Sequence, residues 1–480
     1  FWFNVASLAD TLFVDKDATS VNPASPLGAL DRPYTAIDDA LAAATPGKIV
    51  RIVGNLDFND NPTDPKALVD NVAYQIGYRA MGGTELADGF AMEVPHGTTV
   101  QIDAGAILKF GKANVDVGSS TEGIDRSLGA LQVLGTPYHS VYFTSINDES
   151  LGKDTDPLPT TPVAGDWGGL VFRNNLDYDT LEDPLVPDRT ILEMQGIFLN
   201  YVNHADIRYG GGKVNVSGIE DAYAPIHMME ARPTVTFNAI AHSASSALSA
   251  DPNSFLESQF ENESASPYTA EYDRVGPDIY GNYLADNSLN GLFVRIRTSA
   301  GEPLDTLTVP ARFDDTDIVH IISQNFVIDG MIGGPLDNGP RFNARLAVDP
   351  GTIVKLAASH IDVGLTGQLI AEGVKGYPVV FTSVFDSRYG ASGTFDTNND
   401  RGARLPQRGD WGGIYFRPAS SGSIDRARIY YAGGRTAIEG GFAQFNTIEI
   451  RQADVRIANS LFEQNGAGGS GGSDRNGRGW

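Results

Sequence analysis

The segment Gly165, Asp166, Trp167, Gly168, Gly169 returns unchanged as Gly409, Asp410, Trp411, Gly412, Gly413, and each copy runs into a short apolar stretch ending Phe-Arg. The 480-residue chain holds four tryptophans, and two of them stand in this motif. A repeat built on rare residues decides the architecture before any single side chain does, because each copy must fold as one unit of a stacked or arrayed structure. The flanks extend the match. Ile102 to Phe110 (IDAGAILKF) aligns with Val348 to Leu356 (VDPGTIVKL) and Val115 to Gly118 with Ile361 to Gly364, at an offset of 246 (348 − 102). Phe143, Thr144, Ser145 align with Phe381, Thr382, Ser383 at 238 (381 − 143), and the tryptophan motif at 244 (409 − 165). Strands have persisted while the loops between them changed length, which is what stacked coils tolerate.

Composition narrows the field. With 41% hydrophobic and 20% charged residues the chain can build a core, and 54 glycines with 26 prolines suit many strands joined by tight turns. A formal charge of −25 repels phosphate backbones and anionic surfaces, so nucleic acid is not an expected partner. No cysteine is present, which excludes disulfides, thiolate metal sites and cysteine nucleophiles. No apolar stretch approaches the ~20 residues of a membrane span. The chain starts at Phe1 without a secretion signal and reaches Trp480 through a Gly/Ser/Arg-rich run, so it reads as a segment of a longer protein.

Thr11 to Asp15 reads as a strand, Pro33 to Ala44 as a helix with Thr35 and Asp38 in a capping box, and Lys48 to Gly54 as a second strand. This order resembles the N-terminal entry of right-handed parallel β-helix proteins of the pectate-lyase-like superfamily, where the helix covers the first coil's open edge. The blocks PGTIVK, IDVG, QLIAEG, PVVFTS, RGDWGGIYF, SGSIDRARIYYAGG and QADVRIANSLFEQN resemble the long β-helical repeats of giant secreted proteins in planctomycete-type bacteria. That resemblance implies an extracellular or cell-surface architecture and no assigned catalytic residue. The fold expected is all-β, a right-handed parallel β-helix (solenoid) with a short N-terminal capping helix and long loops. Its parts are an entry region at 1–95, repeat copy 1 at 96–262, intervening coils at 263–345 and repeat copy 2 at 346–480.

Three constellations could carry chemistry. Trp167 and Trp411 are candidate platforms for sugar rings, weighed against packing over a coil end. Asp396, Asn398 and Asp400 place oxygens at alternate positions before Gly402, as in the first half of a calcium loop, and Asp154 and Asp156 stand at the matching place in copy 1. Calcium is therefore a candidate cofactor, against ordinary Asx-turn chemistry. Asp314, Asp315 and Asp317, with His320 three residues on, form the best enzymatic candidate, against charges that merely guard a strand edge. The seven histidines show no HExxH spacing, and no GxSxG elbow or P-loop occurs. The function expected is a non-catalytic structural or adhesive scaffold that packs against copies of itself or further segments of its own chain, in an assembly such as a filament or sheath. The alternative is a polysaccharide lyase, hydrolase or binding module using the acidic loops.

Overall fold

The computed structural model describes residues 8–18, 21–54, 72–80, 83–121, 123–152, 159–177, 193, 197–216, 219–258, 274–296, 305–330, 344–438 and 440–467. The alternating apolar runs form three-strand coils whose strands pair in parallel with their counterparts in the coils before and after. Among the described residues, three short antiparallel pairs, Lys213–Val216 with Ile219–Ala222, Glu257–Ser258 with Arg274–Val275 and Arg435–Ile438 with Gly441–Gln444, lie in loops beside them. The stacked coils are the right-handed parallel β-helix. Chains of β-sandwiches would have shown antiparallel hairpins throughout.

The chain divides into two compact units, one of Phe1–Leu248, Phe260–Tyr272 and Asp278–Ser288, the other of Ser249–Gln259, Asp273–Pro277 and Leu289–Trp480. In the first unit one face stacks Thr11–Val14, Ile49–Ile52, Thr99–Asp103, Ala130–Leu134, Tyr201–Asn203, Thr234–Thr236 and Asp278–Tyr280. The second face stacks Tyr74–Gly77, Ile107–Gly111, Val141–Ser145, Ala205–Arg208, Ala239–Ala241 and Tyr283–Ala285. A third carries Met92–Glu93, Val115–Val117, Leu170–Arg173 and Ile226–Met229.

Because a strand's side chains alternate, one row per face points inward, and apolar residues recur along it. Ile52, Ile102, Val133, Val202, Val235 and Ile279 share one such row and are at most 2% exposed. Each buried Val or Ile stabilises the stack by about 1.5–3 kcal/mol.

In the second unit the first face is Pro310–Phe313, Arg345–Val348, Gln368–Glu372, Ser421–Asp425 and Asp454–Ala458. The second is Leu289–Val294, Val319–Ile322, Ile353–Leu356, Val379–Ser383, Ala427–Tyr430 and Leu461–Glu463. The third is Phe326–Ile328, Ile361–Val363, Ile414–Phe416 and Ile448–Ile450. Corners are fastened by asparagines. Asn287 accepts from the Ser243 N–H and donates to the Ile240 carbonyl of the preceding coil, and Asn465 repeats the pattern with Ala432 and Ile429.

The capping helix is Ile37–Ala43, shorter than expected, and buries Ile37, Ala40 and Leu41 against the first coils. The capping box does not form. Tyr34 bridges to Val14 and keeps the approach extended, so Ala36 becomes the N-cap, and the Ile37 N–H goes to the carboxylate of distant Asp88 at 3.3 Å. Asp88 is buried, also accepts from Gln75 N–H at 2.6 Å, and pairs with Lys16. Burial pushes its pKa up, against the pull of Lys16.

Candidate functional site

In both units the longest described loops leave the second face after Phe-Thr-Ser and rejoin the third face through the tryptophan motif, and the same bonds recur at both. Thr144 and Thr382 donate to Asp148 and Asp386 at 2.6 Å each. Ser145 and Ser383 donate to Asp166 and Asp410 at 2.5 and 2.6 Å. Asp166 also accepts from the Val163 N–H, and Asp410 from the Gln407 N–H, so each aspartate closes its own turn.

Both tryptophans have no exposed surface, which removes them as sugar platforms. Trp167 lies 4.8 Å from Phe110 in a stacked pair and donates its indole N–H to the Arg208 carbonyl at 2.7 Å. Trp411 donates to the Tyr430 carbonyl at 2.8 Å. The flanking glycines are a steric requirement, since a Cβ on Gly169 or Gly413 would stand 2.1 Å from the carbonyl of Ala224 or Asn446 in the neighbouring coil. The glycines of the next coil dock on the motif from the other side: Gly211 and Gly212 donate to Gly168 and Trp167, and Gly433 and Gly434 to Gly412 and Trp411. The motif is thus a seam where three coils meet.

Of the calcium candidates, Asp154 and Asp156 lie outside the described residues. Asp396 accepts the backbone N–H groups of Asp400 and Arg401 at 3.2 and 2.6 Å, and Asp400 accepts those of Gly402 and Arg404 at 2.8 and 2.9 Å. Desolvation acts against ionising Asp400, but these bonds and one from Asn398 outweigh it and hold its carboxyl below the ordinary value. Asn398 Oδ1 has no partner. Among the described residues no three His, Asp or Glu side chains converge as a metal site would require.

A cation does reach this loop from within the protein. Lys355, fully buried on the second face, donates to the Phe395 carbonyl at 3.1 Å and to Thr397 Oγ1 at 2.7 Å. Burial pushes its pKa down to about 8, against the pull of Asp386 and Asp396. Lys109, its counterpart in the other copy, is equally buried.

The third candidate comes apart. Asp314, Asp315 and Asp317 lie in the turn between Pro310–Phe313 and Val319–Ile322, and none of the three lacks a partner. His320 points into the core, with its ring 4.4 Å from that of Phe313 and 5.9 Å from that of Phe255. The carboxylates stand half-buried in the turn, whereas His320 is buried in the strand that follows.

A tyrosine cluster not anticipated from the sequence lies on the outward side of the second unit's second face. Tyr389 in the loop stacks on Tyr430 with ring centres 5.6 Å apart, and Tyr431 lies 6.3 Å from Tyr430. The Arg388 guanidinium stands 5.6, 4.9 and 5.4 Å from the rings of Tyr389, Tyr430 and Tyr431 and is fixed by Asp386 through bonds of 2.9 and 3.0 Å. The signal was present as Arg388-Tyr389 and Tyr430-Tyr431, which only the coil register brings together.

No protein-family model matches the sequence, and a search of curated proteins found no match. Among solved structures the A-module of the mannuronan C-5 epimerase AlgE4 of Azotobacter vinelandii is similar at 10% identity with a TM-score of 0.29, over 90% of this chain and 92% of that one. The strand register described above, not this likeness, defines the fold.

Proposed function

We propose that the chain is a non-catalytic scaffold of the cell surface or extracellular space. One observation carries this reading: the polar groups that recur in both copies are spent on holding coil to coil. Asp166 and Asp410 close turns, Thr144–Asp148 and Thr382–Asp386 brace loop entries, and the two indoles are buried. An enzyme that acts on a polymer would aim such groups at solvent. The inward rows of the second unit also reach Ile450, Ile457 and Phe462, which are 39–40% exposed. The terminal coil of a second copy suits such a face, which favours end-on assembly into a filament or sheath.

The polysaccharide-acting alternative rests on a different observation. On the outward side of the first unit's second face, half-buried Tyr142 stands in register with Asp206, which is bonded by Arg208 at 2.7 and 2.5 Å. Incubation with neutral and uronic acid polysaccharides separates the two readings. No new reducing ends and no absorbance from unsaturated uronate are expected, and turnover of any member of the panel would overturn the scaffold reading.

In this reading calcium is not needed, because the Lys355 ammonium already serves the Asp396–Asp400 loop from beneath. Adding a chelator should leave the melting temperature unchanged. A fall of several degrees, restored by calcium, would instead place the ion there.

A further inference from the structure

We infer that Tyr389 and Tyr430 form a site for oxidative cross-linking, in which a one-electron oxidant joins the loop after the second face to the next coil by a carbon–carbon bond. The inference is independent of the scaffold reading. Three features of the pair carry it. The rings are nearly parallel, 26° apart with centres at 5.6 Å, and the Tyr389 hydroxyl donates to that of Tyr430 at 3.1 Å. Because the rings converge at their hydroxyl ends, the carbons ortho to the two oxygens are neighbours, and these carbons carry the unpaired spin of a phenoxyl radical.

The pair is also held still. Arg388 packs on both rings, and Arg428 donates to the Tyr389 hydroxyl at 3.3 Å. Access is unequal in a useful way: Tyr389 is partly exposed and can meet a small oxidant, while Tyr430 is 3% exposed and is shielded from radicals on other molecules. The chain has no cysteine, so this is a covalent link it can make where a disulfide cannot.

The reaction balances without a bound cofactor. Each phenol gives one electron to the oxidant and one proton to water. The two radicals join through their ortho carbons, and the hydrogen on each of those carbons then moves to its own oxygen, restoring both rings. The product has lost two hydrogens, and the oxidant has taken up two electrons.

The test uses the intact chain with photo-excited tris(bipyridine)ruthenium(II) and persulfate as the oxidant, followed by denaturation and trypsin. The expected product is one species joining peptide 389–401 to peptide 429–435, two hydrogens lighter than their sum, with the blue fluorescence of bityrosine. Fragmentation should place the bond at Tyr430 rather than Tyr431. Tyr389→Phe keeps the stack but should abolish this species, whereas Tyr377→Phe, a change at an exposed ring, should leave it intact. The linked protein should melt at a higher temperature than the unlinked one, since the bond closes a loop in the unfolded chain. Oxidation confined to exposed tyrosines such as Tyr138 and Tyr377, or an equal yield from Tyr389→Phe, would overturn the proposal.

Discussion

Replacing Trp411 by alanine should destabilise the protein by about 3–5 kcal/mol, the range for removing a large aromatic side chain from a packed core. Two losses add. The indole has no exposed surface, so its removal leaves a cavity, and the Tyr430 carbonyl that accepted its N–H at 2.8 Å is left unsatisfied. Trp411→Phe separates the two, since it fills most of the space while still orphaning the carbonyl, and should cost about 1–3 kcal/mol. Trp167→Ala should behave alike, because Trp167 makes the matching bond to Arg208 and stacks on Phe110. Urea midpoints of the three variants check this. Wild-type stability for Trp411→Ala, together with loss of some ligand, would return the tryptophans to the role of binding platforms.

The same residues show how far a sequence of this kind can be read. Repetition revealed the coils because the inward rows demand an apolar residue at every second strand position, and that demand is local. What the tryptophans do depends on which carbonyl lies above them in the next coil, and loops of variable length hide that partner. The capping helix divides in the same way. Its apolar face, Ile37, Ala40 and Leu41, was legible, whereas its N-terminal acceptor, Asp88, is 51 residues away and replaced the local box. At the Asp396 loop the alternating oxygens stand in the sequence itself, but the contact of Lys355, buried in an apolar strand run, with Phe395 and Thr397 does not. A lysine within IVKL is itself an anomaly in the pattern, and it could have pointed to the loop above it.

His320 should make the protein acid-sensitive in a defined window. Its ring is fully buried, neither nitrogen has a hydrogen-bond partner, and burial alone pushes its pKa from 6.5 down to about 3. The surroundings supply no charge to offset protonation: Phe313 and Phe255 face the ring, and Leu292 and Val354 flank it in register on the adjacent strands. The sign follows from proton uptake. Between pH 6.5 and about 3 the unfolded chain binds a proton on this histidine that the folded chain refuses, so stability is complete above 6.5 and declines as pH falls through that window. At about 1.36 kcal/mol per pH unit the loss reaches about 3 kcal/mol by pH 4. His320→Leu keeps a side chain of similar size and removes both the unpartnered nitrogens and the titration. It should raise stability at neutral pH by about 1 kcal/mol and flatten the acid limb by the amount given. The carboxylates and the other six histidines are common to both proteins, so the difference between their urea midpoints at pH 7 and pH 4 isolates His320. An acid limb as steep in His320→Leu as in the wild type would show that the imidazole is protonated within the fold, and that the aromatic pocket opens to water well before the coils separate.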